Sequence, residues 1–155
     1  MIVKKLICII LLMSVGGVMR FERLTDSFDC VQEINVTVQG EEVCFKSGDD
    51  KFEVIIKALK QITKNSHEMP AFGVSIDDLT REDMKSGVWI ELCFDERNLF
   101  EAMDFEGLLI RVEESAHGFN LIRRNNGKYE GRCFYLSLQN SMGELYDALM
   151  GISLK

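Results

Sequence analysis

Residues 88–95 alternate without interruption: Val88, Ile90, Leu92 and Phe94 are apolar, and Trp89, Glu91, Cys93 and Asp95 stand between them. A two-residue period is the pattern of a strand with one buried face. Burying the first set stabilises by about 1.5–3 kcal/mol per side chain, whereas burying Glu91 or Asp95 without a partner is strongly unfavourable. The segment therefore predicts a sheet that carries the core on the face of Val88, Ile90, Leu92 and Phe94.

Other segments fit that sheet. Ile34, Val36 and Val38 alternate with Asn35, Thr37 and Gln39, and Val43 and Phe45 resume the pattern. A two-residue turn at Gly40-Glu41 pairs Val38 with Val43 and Val36 with Phe45, all on one face, and sets Cys44 opposite Thr37 on the polar face. Cys30 lies outside this pairing, which argues against a bridge to Cys44. Further strands are expected over 108–112, 119–124 and 129–138, with Asn126-Gly127 the strongest turn signal in the chain. The stretch 96–107 reads equally as a loop or a short helix carrying Leu99 and Met103.

Phe52, Ile55, Ile56, Leu59 and Ile62 recur at helical spacing behind an Asp50/Glu53 capping pattern, predicting a main helix over about 51–64. The segment 65–70, with the only proline of the chain at Pro70, ends it. A short apolar segment at 72–75 follows, then a brief helix capped by Ser75 and closed by Gly87. A last helix over about 142–150 follows a Ser141/Glu144 capping pattern and buries Met142, Leu145 and Leu149. Grouped strands with helices at the margins indicate an α+β fold: a mostly antiparallel sheet of about five to seven strands packed against the main helix and the C-terminal helix.

Residues 1–18 place Lys4 and Lys5 before an apolar run from Leu6 to Met13, then Ser14, Val15, Gly16 and Gly17. That is the order of a signal peptide, with cleavage expected after Gly17. The apolar run is shorter than the roughly 20 residues of a spanning helix, so a retained anchor is the second reading. Translation from Met19 would instead give a cytoplasmic protein. Ile7 before Cys8 argues against a lipoprotein site, and Asn35-Val36-Thr37 is formally a glycosylation sequon. Residues 19–155 are expected to form a single globular domain, exported or held at the membrane only through the leader.

The formal net charge is -7, and loss of the leader with its two lysines and no acid makes it -9. Only Arg123, Arg124, Lys128 and Arg132 cluster, with Glu130 among them, so nucleic acid is not an expected partner. Phosphate loops, dinucleotide fingerprints, zinc-binding patterns and nucleophile elbows are missing from the sequence, and no metal or cofactor is expected. With His67 and His117 as the only histidines, a thiol dyad would need His117 within about 3 Å of Cys133. The strand register puts them on different faces.

That register also defines the expected site. Pairing Arg124 with Tyr129 across Asn126-Gly127 sets Arg132 opposite Leu121, among Phe119, Phe134, Leu136 and Leu138. A guanidinium there cannot lose its proton, so it must snorkel, pair or meet an anion. Arg123 faces Glu130 one step nearer the turn, giving either a rim ion pair or an arginine-bearing pocket for a carboxylate. Tyr129 and Tyr135, on the opposite face, offer a contact surface. Trp89 beside Glu91 anchors a partner or packs under a neighbouring loop. The acidic runs at 26–29, Asp49-Asp50 and Asp77-Asp78 suggest cations, although the last two already serve helix starts.

The resulting expectation is a small, exported binding or interaction domain that takes a protein or a small anionic ligand at the last hairpin, through Arg123, Glu130, Arg132, Tyr129, Tyr135 and Trp89. The alternatives are a hydrolase or transferase without a known motif, acting on an anionic substrate, and a cytosolic accessory subunit that dimerises through its sheet. An enzyme requires a concave site where Arg132 converges with a base such as Glu130, His67 or His117. A binding domain requires only an exposed patch.

Overall fold

The alternating segment lies in the longest strand of a nine-stranded, mostly antiparallel sheet, and the fold is α+β. The computed structural model describes residues 18–70 and 73–152. In chain order these form β1 (Met19–Arg20), a 3-10 helix (Leu24–Cys30), β2 (Glu33–Val38), β3 (Glu41–Lys46), α1 (Asp50–Ile62), β4 (His67–Met69) and β5 (Val74–Ser75). There follow α2 (Asp77–Asp83), β6 (Val88–Phe100), β7 (Met103–Arg111), β8 (Gly118–Asn125), β9 (Lys128–Tyr129), β10 (Gly131–Arg132), β11 (Phe134–Ser137) and α3 (Gly143–Gly151). The expected leader, except Val18, lies outside the described residues, as does Phe72 of the expected 72–75 segment. No helix among the described residues is long and apolar enough to cross a membrane.

The sheet runs β3-β2-β6-β7-β8-β11-β4, with β1 parallel to the end of β6 and β9 beside β8, while β5 and β10 form a separate ladder. Nine strands exceed the expected number because β1 and β4 are too short to show alternation and the strand expected over 129–138 is divided into β9 and β11. The inner face buries Ile34, Val36, Ile90, Leu92, Leu108, Ile110 and Leu121 against Ile55 and Leu59 of α1 and Leu145 and Leu149 of α3. Leu24 and Phe28 of the 3-10 helix join that core.

Two hairpins depart from the expected register, and a third forms where none is expected. Between β2 and β3 the turn is Gln39-Gly40, both at positive φ, so Val38 meets Glu41, Val36 meets Val43, and Cys44 lies opposite Asn35. The shift is an even number of residues, which leaves every side chain on its predicted face. The ambiguous stretch 96–107 is neither a loop nor a helix. It continues β6 into β7 through Glu101-Ala102, two residues at positive φ with no glycine between them. β6 bulges between Cys93 and Asn98, where four residues face only Glu106.

The last hairpin keeps Arg124 opposite Tyr129, as the turn signal indicates. Beyond Tyr129 the strand slips by two residues, so Phe134 opposes Leu121 and Tyr135 opposes Asn120. Arg132 therefore does not stand opposite Leu121. It pairs with Val74 in the β5–β10 ladder, and its side chain is exposed. At the slip the Arg123 guanidinium lies beside Gly131. There a β carbon would lie 2.9 Å from Arg123 Nη2, and the backbone turns at a φ of 95°.

Candidate functional site

The outer face of the sheet is only partly covered. α2 and the segment that follows it lie over Trp89, Leu109 and Tyr129, which with Met84 and Ile122 make a second small apolar cluster. Trp89 is thus buried rather than an exposed anchor, its indole donating to the Ser86 carbonyl at 2.8 Å and Arg111 lying over its ring. The expectation that it packs under a neighbouring segment describes it.

Beside this cluster lies a cleft of about 540 Å³, bounded by β2, β3, β6, Arg81 and the β8–β9 hairpin. Glu91 forms its floor and is 6% exposed. The alternation already sends Glu91 outward, yet the cover over this face buries it, so it needs partners. It has two. Arg124 Nε donates to one carboxylate oxygen, and the Tyr129 hydroxyl donates to the other at 2.8 Å.

Gly107 makes this pairing possible. It lies between Cys93 and Arg124 in the ladder, and Arg124 and Glu91 close over it. A β carbon at 107 would sit 2.9 Å from Arg124 Nε and 3.0 Å from Glu91 Oε1. The glycine is used here for close approach and not for turn geometry.

α2 fixes the hairpin wall. Asp77 accepts the Tyr129 backbone N–H at 2.7 Å and the Arg81 side chain at 2.9 Å. Arg81 in turn donates to the Gly127 carbonyl at 2.6 Å and lies over the Tyr129 ring, 4.9 Å from its centre. The Arg81 hydrogen bond and then the Tyr129 N–H hold the Asp77 carboxyl below its ordinary value.

The reactive side chains of the cleft are set against reactivity. Burial, reinforced by Glu91, pushes the Cys93 thiol up to about 12. Burial and then Glu91 likewise hold the Tyr129 phenol well above its usual range. A thiolate or phenolate nucleophile is therefore disfavoured at neutral pH.

The charge of the lining is unbalanced. Glu33, Glu42, Glu91 and Asp95 face Arg81 and Arg124. Arg124 is paired with Glu91 and Arg81 with Asp77, while Glu33, Glu42 and Asp95 have no ion pair among the described residues.

Of the residues expected at the site, Tyr129 lines the cleft and Trp89 belongs to the cluster beside it. Arg123 belongs to neither: it donates to the Arg132 carbonyl at 2.7 Å and the Asp104 carbonyl at 2.8 Å, and it faces the Asp104 carboxylate at 3.5 Å. Glu130 is exposed and does not form the expected ion pair with Arg123, since Asp104 takes that place. Arg132 is exposed on β10. Tyr135 lies over Gly118, away from the cleft. Cys133 is buried with its sulfur 3.0 Å from Ser75 Oγ.

Sequence reasoning missed Glu91, Arg124, Arg81 and the carboxylates of β2 and β3 as one constellation. The outward position of Glu91 and the Arg124–Tyr129 pairing were both legible. What joins them is β7, whose register was not. The chain matches no protein-family model, no curated protein and no solved structure.

Proposed function

We propose that the chain is an exported binding domain whose outer-face cleft receives a cationic group, an amine or guanidinium carried by a partner protein. The observation that carries this reading is the charge inventory of the cleft: both guanidiniums are already matched, and Glu33, Glu42 and Asp95 are left at the rim. A carboxylate ligand would meet a surface of its own sign, which moves the reading away from the anionic ligand suggested by Arg132 alone. Binding rather than catalysis is favoured because Glu91 has both oxygens occupied and the Cys93 thiol is held protonated. The site keeps one wall from the last hairpin, through Arg124, Gly127 and Tyr129. Export rests on the form of residues 1–18.

Amide chemical shifts of the labelled protein, titrated to about 1 mM with tetralysine and separately with tetraglutamate, test this reading in an affinity range where weak binding registers. Tetralysine is expected to move Glu33, Asn35, Cys93 and Asp95, with the effect shrinking as salt is added. Glu33→Gln combined with Asp95→Asn should remove it. Shifts at Arg132 and Tyr135 with tetraglutamate, and none in the cleft with tetralysine, would overturn the cationic reading in favour of the anionic one.

A further inference from the structure

Opposite β7, β6 is flanked by two strands that do not meet. β2 pairs with it from Val88 to Cys93, and β1 pairs with it at Asn98 and Leu99. Phe94, Asp95, Glu96 and Arg97 fall between them, and the bulge takes the same four residues out of the β7 ladder. A bulge ends pairing and re-aims side chains, so the sheet is interrupted here. Met19 from the β1 side, Cys30 and Gln32 from the β2 side, and Phe94 and Asn98 of β6 enclose a pocket of about 130 Å³ at this gap.

The lining is mostly apolar. Met19 belongs to the main core, and Cys30 and Phe94 pack against it. The Phe94 ring meets Phe105 edge to face, with ring centres 5.5 Å apart. Asn98 is 1% exposed, and its amide donates to the Glu96 carbonyl at 3.1 Å, so that donor is already matched. Water finds few partners in such a space. The pocket adjoins the outer-face cleft, since Gln32, Phe94 and Asp95 line both.

We propose that the two spaces take one ligand: a cation in the cleft, joined to an aliphatic side chain in the pocket. On a partner protein this is a basic residue beside one with a side chain the size of leucine. The inference rests on the cleft receiving a cation, and it specifies what that cation is attached to. A group that neutralises Asp95 sits next to Phe94, and the space beyond is walled by Met19 and Cys30. A polar or charged neighbour placed there would lose its water without gaining partners. Glu33 and Asp95 draw the charge, and the pocket selects among the many basic segments that charge alone would accept.

Capped tetrapeptides of alternating lysine and leucine, and of alternating lysine and glycine, carry the same charge and differ only in the apolar side chains. Amide chemical-shift titration of the full chain should show the leucine peptide binding about tenfold more tightly, the effect of burying one leucine side chain in part. It should also add Met19, Cys30 and Asn98 to the amides that move at Glu33 and Asp95. Cys30→Met, which fills the pocket, should narrow the difference between the two peptides, and the comparison on the unaltered chain decides the matter if that variant does not fold. Equal affinities with shifts confined to the cleft would overturn this inference and leave the cleft reading standing. A capped tetrapeptide of alternating glutamine and leucine that binds as tightly as the lysine form would also overturn it, since the pocket would then act without the cation. No shift in the cleft with any of the three would remove the cleft reading and this inference together.

Discussion

The Tyr129 hydroxyl donates to Glu91 at 2.8 Å across the two strands that lie between β9 and β6. Its removal in Tyr129→Phe leaves a buried carboxylate oxygen without its donor. An unmatched buried acceptor costs about 1–3 kcal/mol, so the urea midpoint should fall accordingly. An unchanged midpoint would mean that water replaces the phenol and that the floor of the cleft is wetter than its burial indicates.

Arg123 and Arg132 should behave oppositely when each is replaced by methionine. Arg123 binds two carbonyls and the Asp104 carboxylate with a side chain only 12% exposed, so Arg123→Met should destabilise by about 2 kcal/mol. Arg132 is exposed, and Arg132→Met should stay within about 0.5 kcal/mol of the parent protein. Thermal melts of the two variants side by side decide this, and a reversed order would return the buried guanidinium to position 132.

Asp77 gives the docking of α2 an acid limit. Its carboxyl titrates below the ordinary value of 3.8 in the folded protein, held there by Arg81 and the Tyr129 N–H. A lowered folded pKa contributes stability at pH above the unfolded value and loses it as pH falls through the folded one. Asp77→Asn should therefore lower the denaturation midpoint at neutral pH, with the gap from the parent closing as the pH falls through the lowered folded value. A gap of constant size from neutral to strongly acidic pH would show that the carboxylate charge is not what holds the helix.

Amino-terminal sequencing of the native protein should begin at Val18, as cleavage after Gly17 requires. A start at Met1 or at Met19 would dismiss signal processing.

Much of the fold follows from local pattern. The alternation at 88–95, the apolar stripe of α1 and the Asn126-Gly127 turn each state their structure within a few residues, and the fold agrees with them. The departures share a physical origin. Glu101-Ala102 turns the chain at positive φ with residues that carry no turn preference, so nothing local marks the β6–β7 hairpin. The two-residue slip after Tyr129 falls where Gly131 takes a positive φ beside the Arg123 guanidinium, a feature that strand periodicity does not contain. The cleft was hidden for the same reason: Glu91 and Arg124 are far apart in sequence and meet only because Gly107 leaves a gap between their strands.

β6 is flanked by β7 along both of its halves, by β2 along the first half and by β1 at its far end. Such a strand cannot peel away by itself, because detaching it severs the ladders on both sides at once. The amide protons of Ile90, Glu91 and Leu92 should accordingly trade for deuterium only when the whole molecule unravels, whereas the two-residue ladder of β5 and β10 should exchange through small, frequent openings.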